Sequence, residues 1–223
     1  MDDPVTAIAR AAEATANATG KMLDIVHDTG GYLGRVFADV PADLIGVIGG
    51  AWLRERHIRL RARLRRRTEE ILRERDVQDV IELSPNVAST LIAGAQEESR
   101  DELMELWARL LANAVDPRLN GVRQSFIDAV KAMDPPDAKT LNYLYRVKAA
   151  RIVFGGGGDS VQTTIEYISE QLGVRKDDVE VSLRHLETLR FLTTTPQELN
   201  VWFPTANMRE FMRACYPELS ANE

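Results

Sequence analysis

Four consecutive glycines, Gly155 to Gly158, lie between the β-branched run Arg151–Phe154 and a helix-like segment beginning near Asp159. That is the outline of a phosphate-cradling loop. Such a loop needs a lysine after its last glycine, so that an ammonium and the backbone N–H groups meet the phosphates together, and a hydroxyl beside it for Mg²⁺. No lysine follows here, and Asp159 would repel a phosphate. A dinucleotide-binding glycine turn needs repeating strand–helix–strand units, which the chain does not offer. Asp159 with Gln162 reads instead as a helix start of the capping-box kind. The glycines are assigned to a loop or hinge, and no nucleotide cofactor is expected.

The other reactive side chains are scattered. His27, His57 and His185 are far apart and form no metal-ligand spacing with cysteine or glutamate. The carboxylate pairs Glu97-Glu98 and Asp101-Glu102 stand at the first turn of a helix, where the positive end of the helix dipole accounts for them. Cys215 is the only cysteine, so no intrachain disulfide can form, and a reducing compartment suits the chain. It has no His/Asn motif beside it and is read as a small buried residue. The expectation is a protein without catalytic residues, metal, cofactor or small-molecule substrate.

Charge is more informative. The net charge of −6 conceals a block, residues 54–75, with 10 arginines against 4 glutamates, set between acidic stretches on both sides. Along the helix expected from Trp52 to about Asp76, Leu53, Leu60, Leu64 and Ile71 share one side. Arg56, Arg59, Arg63 and Arg66 flank that stripe on one side, with Arg54, Arg61 and Arg65 on the other. The stripe is narrow, as in a bundle helix that buries little area. The block has three candidate roles. Its guanidinium groups pair with the acidic helices around it; they lie on anionic headgroups while the preceding uncharged run Leu44–Leu53 enters a membrane surface; or they bind nucleic acid, for which no aromatic side chains are interleaved. The membrane or partner contact would comprise Ile45, Val47, Ile48, Trp52 and Leu53. The anionic-partner contact would comprise Arg54, Arg56, Arg59, Arg63, Arg65 and Arg66.

The elements that position these residues are mostly helical. Aromatics make up 6% of the chain while alanine, leucine, arginine and glutamate abound, a balance that favours helix over sheet. An Ala-rich helix is expected from Asp3-Pro4 to about Val26, and the Arg-rich helix from Trp52 to about Asp76. A turn at Ser84-Pro85 leads to a short apolar helix, and "ESRDELMELWARLLANAVDP" gives the best-specified one. Its Leu103, Leu106, Trp107, Leu110, Leu111 and Ala114 keep the spacing of a buried face, and Asp116-Pro117 ends it. "VRQSFIDAVKAM" follows, and Asp134-Pro135-Pro136 breaks and recaps the chain. The acidic start gives no sign of a signal peptide, and no run of about 18 apolar residues is present. The cytoplasm is expected, with the inner membrane surface as a second place of action.

Beyond residue 135 the order changes to helix, strand, helix, helix, strand, turn, strand, closed by "TANMREFMRACY". That is the order of a winged helix. The fold class expected is therefore mainly α: a helical bundle over residues 1–135 and a small winged-helix-like α+β module over residues 136–223. The module's recognition helix opens with Asp177, Asp178 and Glu180, and its wing "TTTPQEL" carries no basic residue. DNA binding by that face is disfavoured, because phosphate neutralisation supplies most non-specific affinity. Docking of another protein is the use expected.

Three segments together resemble the bacterial abortive-infection alpha family. They are the Arg-rich "AWLRERHIRLRARLRRRTEEIL", then "ELWARLLANAVDP", then "VRQSFIDAVKAMDPPDAKTLNYLY", in which Pro135, Asp137 and Ala138 match the family's segment after its Ser-Phe-Ile helix. Thr19-Gly20-Lys21 also fits, so that the similarity runs over roughly residues 5–150, with a weaker match through "LRHLETLRFL". Met133-Asp134 and the four glycines depart from the pattern. The resemblance implies a role in defence against phage and brings no known catalytic residues; it leaves the biochemical act open. The act expected is non-enzymatic association with other proteins, a second copy of the chain, or the inner face of the membrane. A nucleic-acid-binding regulator using the same arginines is the alternative.

Overall fold

The computed structural model describes residues 25–26, 31, 33–34, 51–96, 98–119, 121–149, 151–153, 162–195 and 198–217. In chain order the elements are β1 (Ile25–Val26), α1 (Ala51–Glu74), β2 (Val80–Ile81), α2 (Pro85–Gln96), α3 (Asp101–Val115), α4 (Gln124–Ala132), α5 (Pro135–Arg146), β3 (Arg151–Val153), β4 (Gln162–Thr164), α6 (Ile165–Leu172), α7 (Lys176–Thr188), β5 (Leu192–Thr195), β6 (Glu198–Pro204) and α8 (Ala206–Cys215). The protein is mainly helical with a small four-stranded sheet. The greater part of the expected N-terminal helix, the apolar run as far as residue 50 and Gly155–Gly158 lie outside the described residues.

The segment with the strongest helical pattern is the hub. In α3 the acidic pair Asp101-Glu102 occupies the first turn, and eleven of fifteen residues are buried, Leu103 through Val115 with few breaks. A single buried face was expected; burial instead runs nearly all round, because α1, α2, α4, α5 and α8 all pack on it. Trp107 is 1% exposed, and α2 approaches it so closely that the backbone at Gly94 faces the indole ring. One cluster of buried side chains runs from Leu33 and Leu60 through α3 to Ile165, Leu183, Trp202 and Phe211.

The start of α5 shows how a short sequence signal becomes a long-range contact. Asp134 caps the helix with its side chain, and Asp137 at the third helical position accepts from the Asp134 backbone N–H at 2.8 Å, completing a capping box with Pro135 at the first position. The same buried Asp137 carboxylate lies 2.7 Å from His185 Nδ1 of α7. The Pro-x-Asp-Ala segment thus fixes α5 against α7.

The sheet has the order β4–β3–β6–β5. β3 lies antiparallel to β6 with Ile152 opposite Trp202, and β5–β6 is an antiparallel hairpin with Thr193 opposite Phe203. Glu187 of α7 clamps the hairpin, accepting from Thr194 Oγ1 at 2.7 Å and from Trp202 Nε1 at 3.3 Å. Two expectations are corrected. Gln162–Thr164 forms a strand parallel to Arg151–Val153, where a helix starting at Asp159 was expected. Its β-branched threonines suit the pleat, and Thr164 then caps α6 by accepting from the Tyr167 N–H at 3.1 Å. Ile25–Val26, expected to end a helix, pairs instead with Val80–Ile81. The link between α6 and α7 is as short as its Gly-Val-Arg implies, with Gly173 in the left-handed region at φ 64°.

The outward face of the arginine helix

Along α1 the apolar residues Leu60, Leu64, Ile71 and Leu72 are buried. Thr68 joins them, its hydroxyl donating to the Leu64 carbonyl at 2.9 Å. Thr68 and Leu72 widen the stripe beyond the four leucine and isoleucine positions that the spacing picks out. The arginines on either side have different fates.

Those facing α3 are locked in ion pairs. Arg63 Nη2 donates to Asp101 Oδ1 at 2.6 Å, and Arg67 makes a fork with Glu105 at 2.6 and 2.9 Å. Both pairs are offset by 38 residues, so α1 and α3 run side by side in the same direction. Arg67 also reaches Glu70 at 3.2 Å and Glu74 at 3.0 Å, and Glu105 takes a further 2.7 Å bond from Arg109. On the other flank Arg65 pairs with Glu69 at 2.7 Å. The outermost arginines are different. Arg59 is 67% exposed with only a 3.8 Å approach to Glu55. Arg66 is exposed and makes no ion pair among the described residues. On the same helix Ile58 is 60% exposed.

Between α1 and α3 lies a cleft of about 550 Å³, with Arg59, Arg63 and Arg66 on its α1 side, Asp101 and Met104 on its α3 side, and Ala62 between the arginines. Its inner end is closed by the Arg67–Glu105 fork.

Burial alone would raise the Glu105 carboxyl, but the hydrogen bond from Arg67 and the charges of Arg109 and Arg67 hold it below the usual range. Glu98 and Asp116 follow the same rule: burial raises each, and Arg100 and Arg118 respectively outweigh it. Arg67 is itself raised, first by its bond to Glu105. Carboxylates with lowered native values stabilise the fold above their unfolded values, which are about 4. That stabilisation is lost as pH falls through the native values. The urea midpoint is therefore expected to drop steadily between pH 5 and pH 3; a flat midpoint over that interval would contradict the pairing described.

The C-terminal end of α8 is tied to the same helices. The Cys215 carbonyl accepts from Arg75 at 2.9 Å and from Arg109 at 3.3 Å, and the Arg109 guanidinium lies 4.1 Å from the centre of the Tyr216 ring. Burial pushes the Tyr216 phenol up to about 12. Cys215 is buried, as expected.

Of the residues singled out in the sequence, Arg56, Arg59, Arg63, Arg65 and Arg66 all lie on α1, but only Arg59, Arg63 and Arg66 border the cleft. Trp52, Leu53 and Arg54 belong to the first turn of α1, with side chains outside the described residues; Ile45, Val47 and Ile48 lie outside them altogether. Asp101 and Glu105 were not singled out as partners of the arginines. The matching four-residue steps 63–67 and 101–105 are the signal that pairs them. His57 is half-buried with Nδ1 unpaired among the described residues, while His185 is taken by Asp137. Among the described residues no group of His, Cys, Asp or Glu could hold a metal, and no helix is long and apolar enough to cross a membrane.

No curated protein and no solved structure matches the chain significantly. Residues 56–212 match the model of the abortive infection alpha family. The match begins within α1, where a resemblance from about residue 5 was expected, and it extends through the sheet into α8. It takes in α3, the Asp137 capping box and the Glu187 clamp, and on that ground the chain belongs to the abortive infection alpha family.

Proposed function

We propose that the chain is a phage-defence protein of the abortive-infection type that acts without catalysis, by association through the outward face of α1 with an anionic membrane surface. Family membership supports the setting. The observation that carries the surface is the division of the arginines: Arg63 and Arg67 are paired to α3, whereas Arg59 and Arg66 are exposed, as is Ile58 on the same helix. A basic ridge with an apolar neighbour suits a headgroup layer, where each basic residue contributes about 1 kcal/mol.

Nucleic acid is the second reading for the same arginines, but this face offers no exposed aromatic side chain among the described residues on which a base could stack. The order α5, β3, α6, α7, β5, β6, with β3 joined to β6, supports reading residues 136–223 as a winged-helix-like module for docking another protein or a second copy. Exposed Val181, flanked by Asp177 and Glu180 on α7, suits that better than DNA.

Flotation on vesicles containing phosphatidylglycerol tests the surface. Arg59→Glu with Arg66→Glu is expected to cost about 2 kcal/mol, roughly thirtyfold in partitioning at low salt. Unchanged flotation of the folded double variant would rule this face out.

A further inference from the structure

The mouth of the α1–α3 cleft has an unbalanced charge. Arg59, Arg63 and Arg66 follow one another at four- and three-residue steps, which brings three guanidinium groups to one side of the helix. Ala62, between them in sequence, projects no more than a methyl group, and Met104 supplies an apolar wall. Of the three acids that line the cleft, Asp101 is held by Arg63 at 2.6 Å, while Glu70 and Glu105 are both bonded to Arg67 and leave Arg59 and Arg66 unmatched. Glu55 approaches Arg59 no nearer than 3.8 Å, and Arg66 has no ion pair among the described residues. Glu105, deeper in the cleft, is already matched by the Arg67 and Arg109 guanidinium groups.

We propose that this mouth binds a polyvalent phosphate, with the Asp101 carboxylate occupying part of the site in the ligand-free chain. Guanidinium forks match phosphate oxygens two at a time. A single negative charge satisfies one of the three arginines, so the preferred ligand carries several. The volume, about 550 Å³, is that of a small-molecule site. No aromatic residue lines it, so a base or sugar is not read, and the ligand is recognised by its phosphates: pyrophosphate, or the phosphate chain of a nucleotide. Asp101 is 78% exposed and Arg63 41% exposed. Exposed pairs of that kind are weak, and an incoming phosphate displaces the carboxylate at little cost.

This deepens the reading of the α1 face, with which it shares Arg59 and Arg66, but it also requires Arg63 and Asp101, which that reading does not. The test is calorimetric titration of the full chain with pyrophosphate at low salt. One-site binding is expected, tightened up to about fivefold by Asp101→Asn, the size of an exposed ion pair, and weakened at least tenfold by Arg63→Gln with Arg66→Gln. Arg63→Lys keeps the charge and loses the fork, so it is expected to lie between. Circular dichroism and urea midpoints establish that each variant is folded. No saturable heat with either the native chain or Asp101→Asn overturns the proposal, as does equal binding by the glutamine double variant. A short-chain phosphatidic acid is titrated alongside. If it binds and pyrophosphate does not, the free-anion source is overturned. Failure of the native chain to float on the vesicles, with its pyrophosphate binding intact, overturns only the surface reading; flotation of the native chain without pyrophosphate binding overturns only this one.

Discussion

Replacing Phe211 by alanine is expected to lower the unfolding free energy by about 3–5 kcal/mol, the range for deleting a fully buried aromatic ring. Phe211 is 0% exposed. It meets Phe126 of α4 edge-on at 5.4 Å between ring centres and Phe191, beyond α7, at 4.8 Å. The ring therefore holds together three parts of the chain far apart in sequence. With the ring gone, α8 keeps its smaller buried contacts, Met208, Met212 and Cys215, and its polar ties, the Arg75 and Arg109 bonds to the Cys215 carbonyl and the Asn142–Tyr216 bond at 3.1 Å. Such hydrogen bonds contribute about 1 kcal/mol each, too little to compensate for the cavity. Urea unfolding at pH 7 measures the loss, and a change below about 1 kcal/mol would mean that α8 is not part of the common core.

Gly94→Ala is expected to destabilise, against the sign that helix propensity alone predicts. In an exposed helix interior the change from glycine to alanine gains about 1 kcal/mol. Here an added Cβ would lie 2.5 Å from Trp107 Cη2 and 2.8 Å from Cζ2, and the indole is fully enclosed. Overpacking of this kind costs about 1–3 kcal/mol, so a net loss follows. In a Trp107→Leu background the same substitution is expected to be neutral or favourable. Equal effects in both backgrounds would remove the steric explanation.

The elements that were legible in the sequence are those whose signal is local. The 3–4 spacing of Leu103, Leu106, Trp107 and Leu110 specified α3, and Asp134-Pro135-Pro136 specified the α5 cap. Both reflect interactions within a few residues. What could not be read was which faces meet. Nothing in "DELMELWARLLANAV" says that five helices surround it. The four-residue steps of Arg63–Arg67 and Asp101–Glu105 become partners only because α1 and α3 run in the same direction. β4 was missed because three residues with two threonines carry no period, and their strand conformation depends on pairing with β3. The same limit applied to the basic block. Composition showed an excess of arginine, but the division between paired Arg67 and outward Arg66 depends on the position of α3. Pairing of the arginines with neighbouring acids, one of the three roles weighed for the block, thus holds for its α3-facing side.

The central claim is that the outward arginines, and not merely a folded bundle, carry defence. The direct measurement is phage protection of cells expressing the native chain beside two variants, Arg59→Glu with Arg66→Glu and, as a surface control away from this face, Arg213→Glu. Plaque counts and membrane integrity are followed through infection, with expression and folding matched. The α1 double variant is expected to lose protection by at least tenfold in plaque count while the control keeps it. Full protection by the soluble, folded double variant would contradict it.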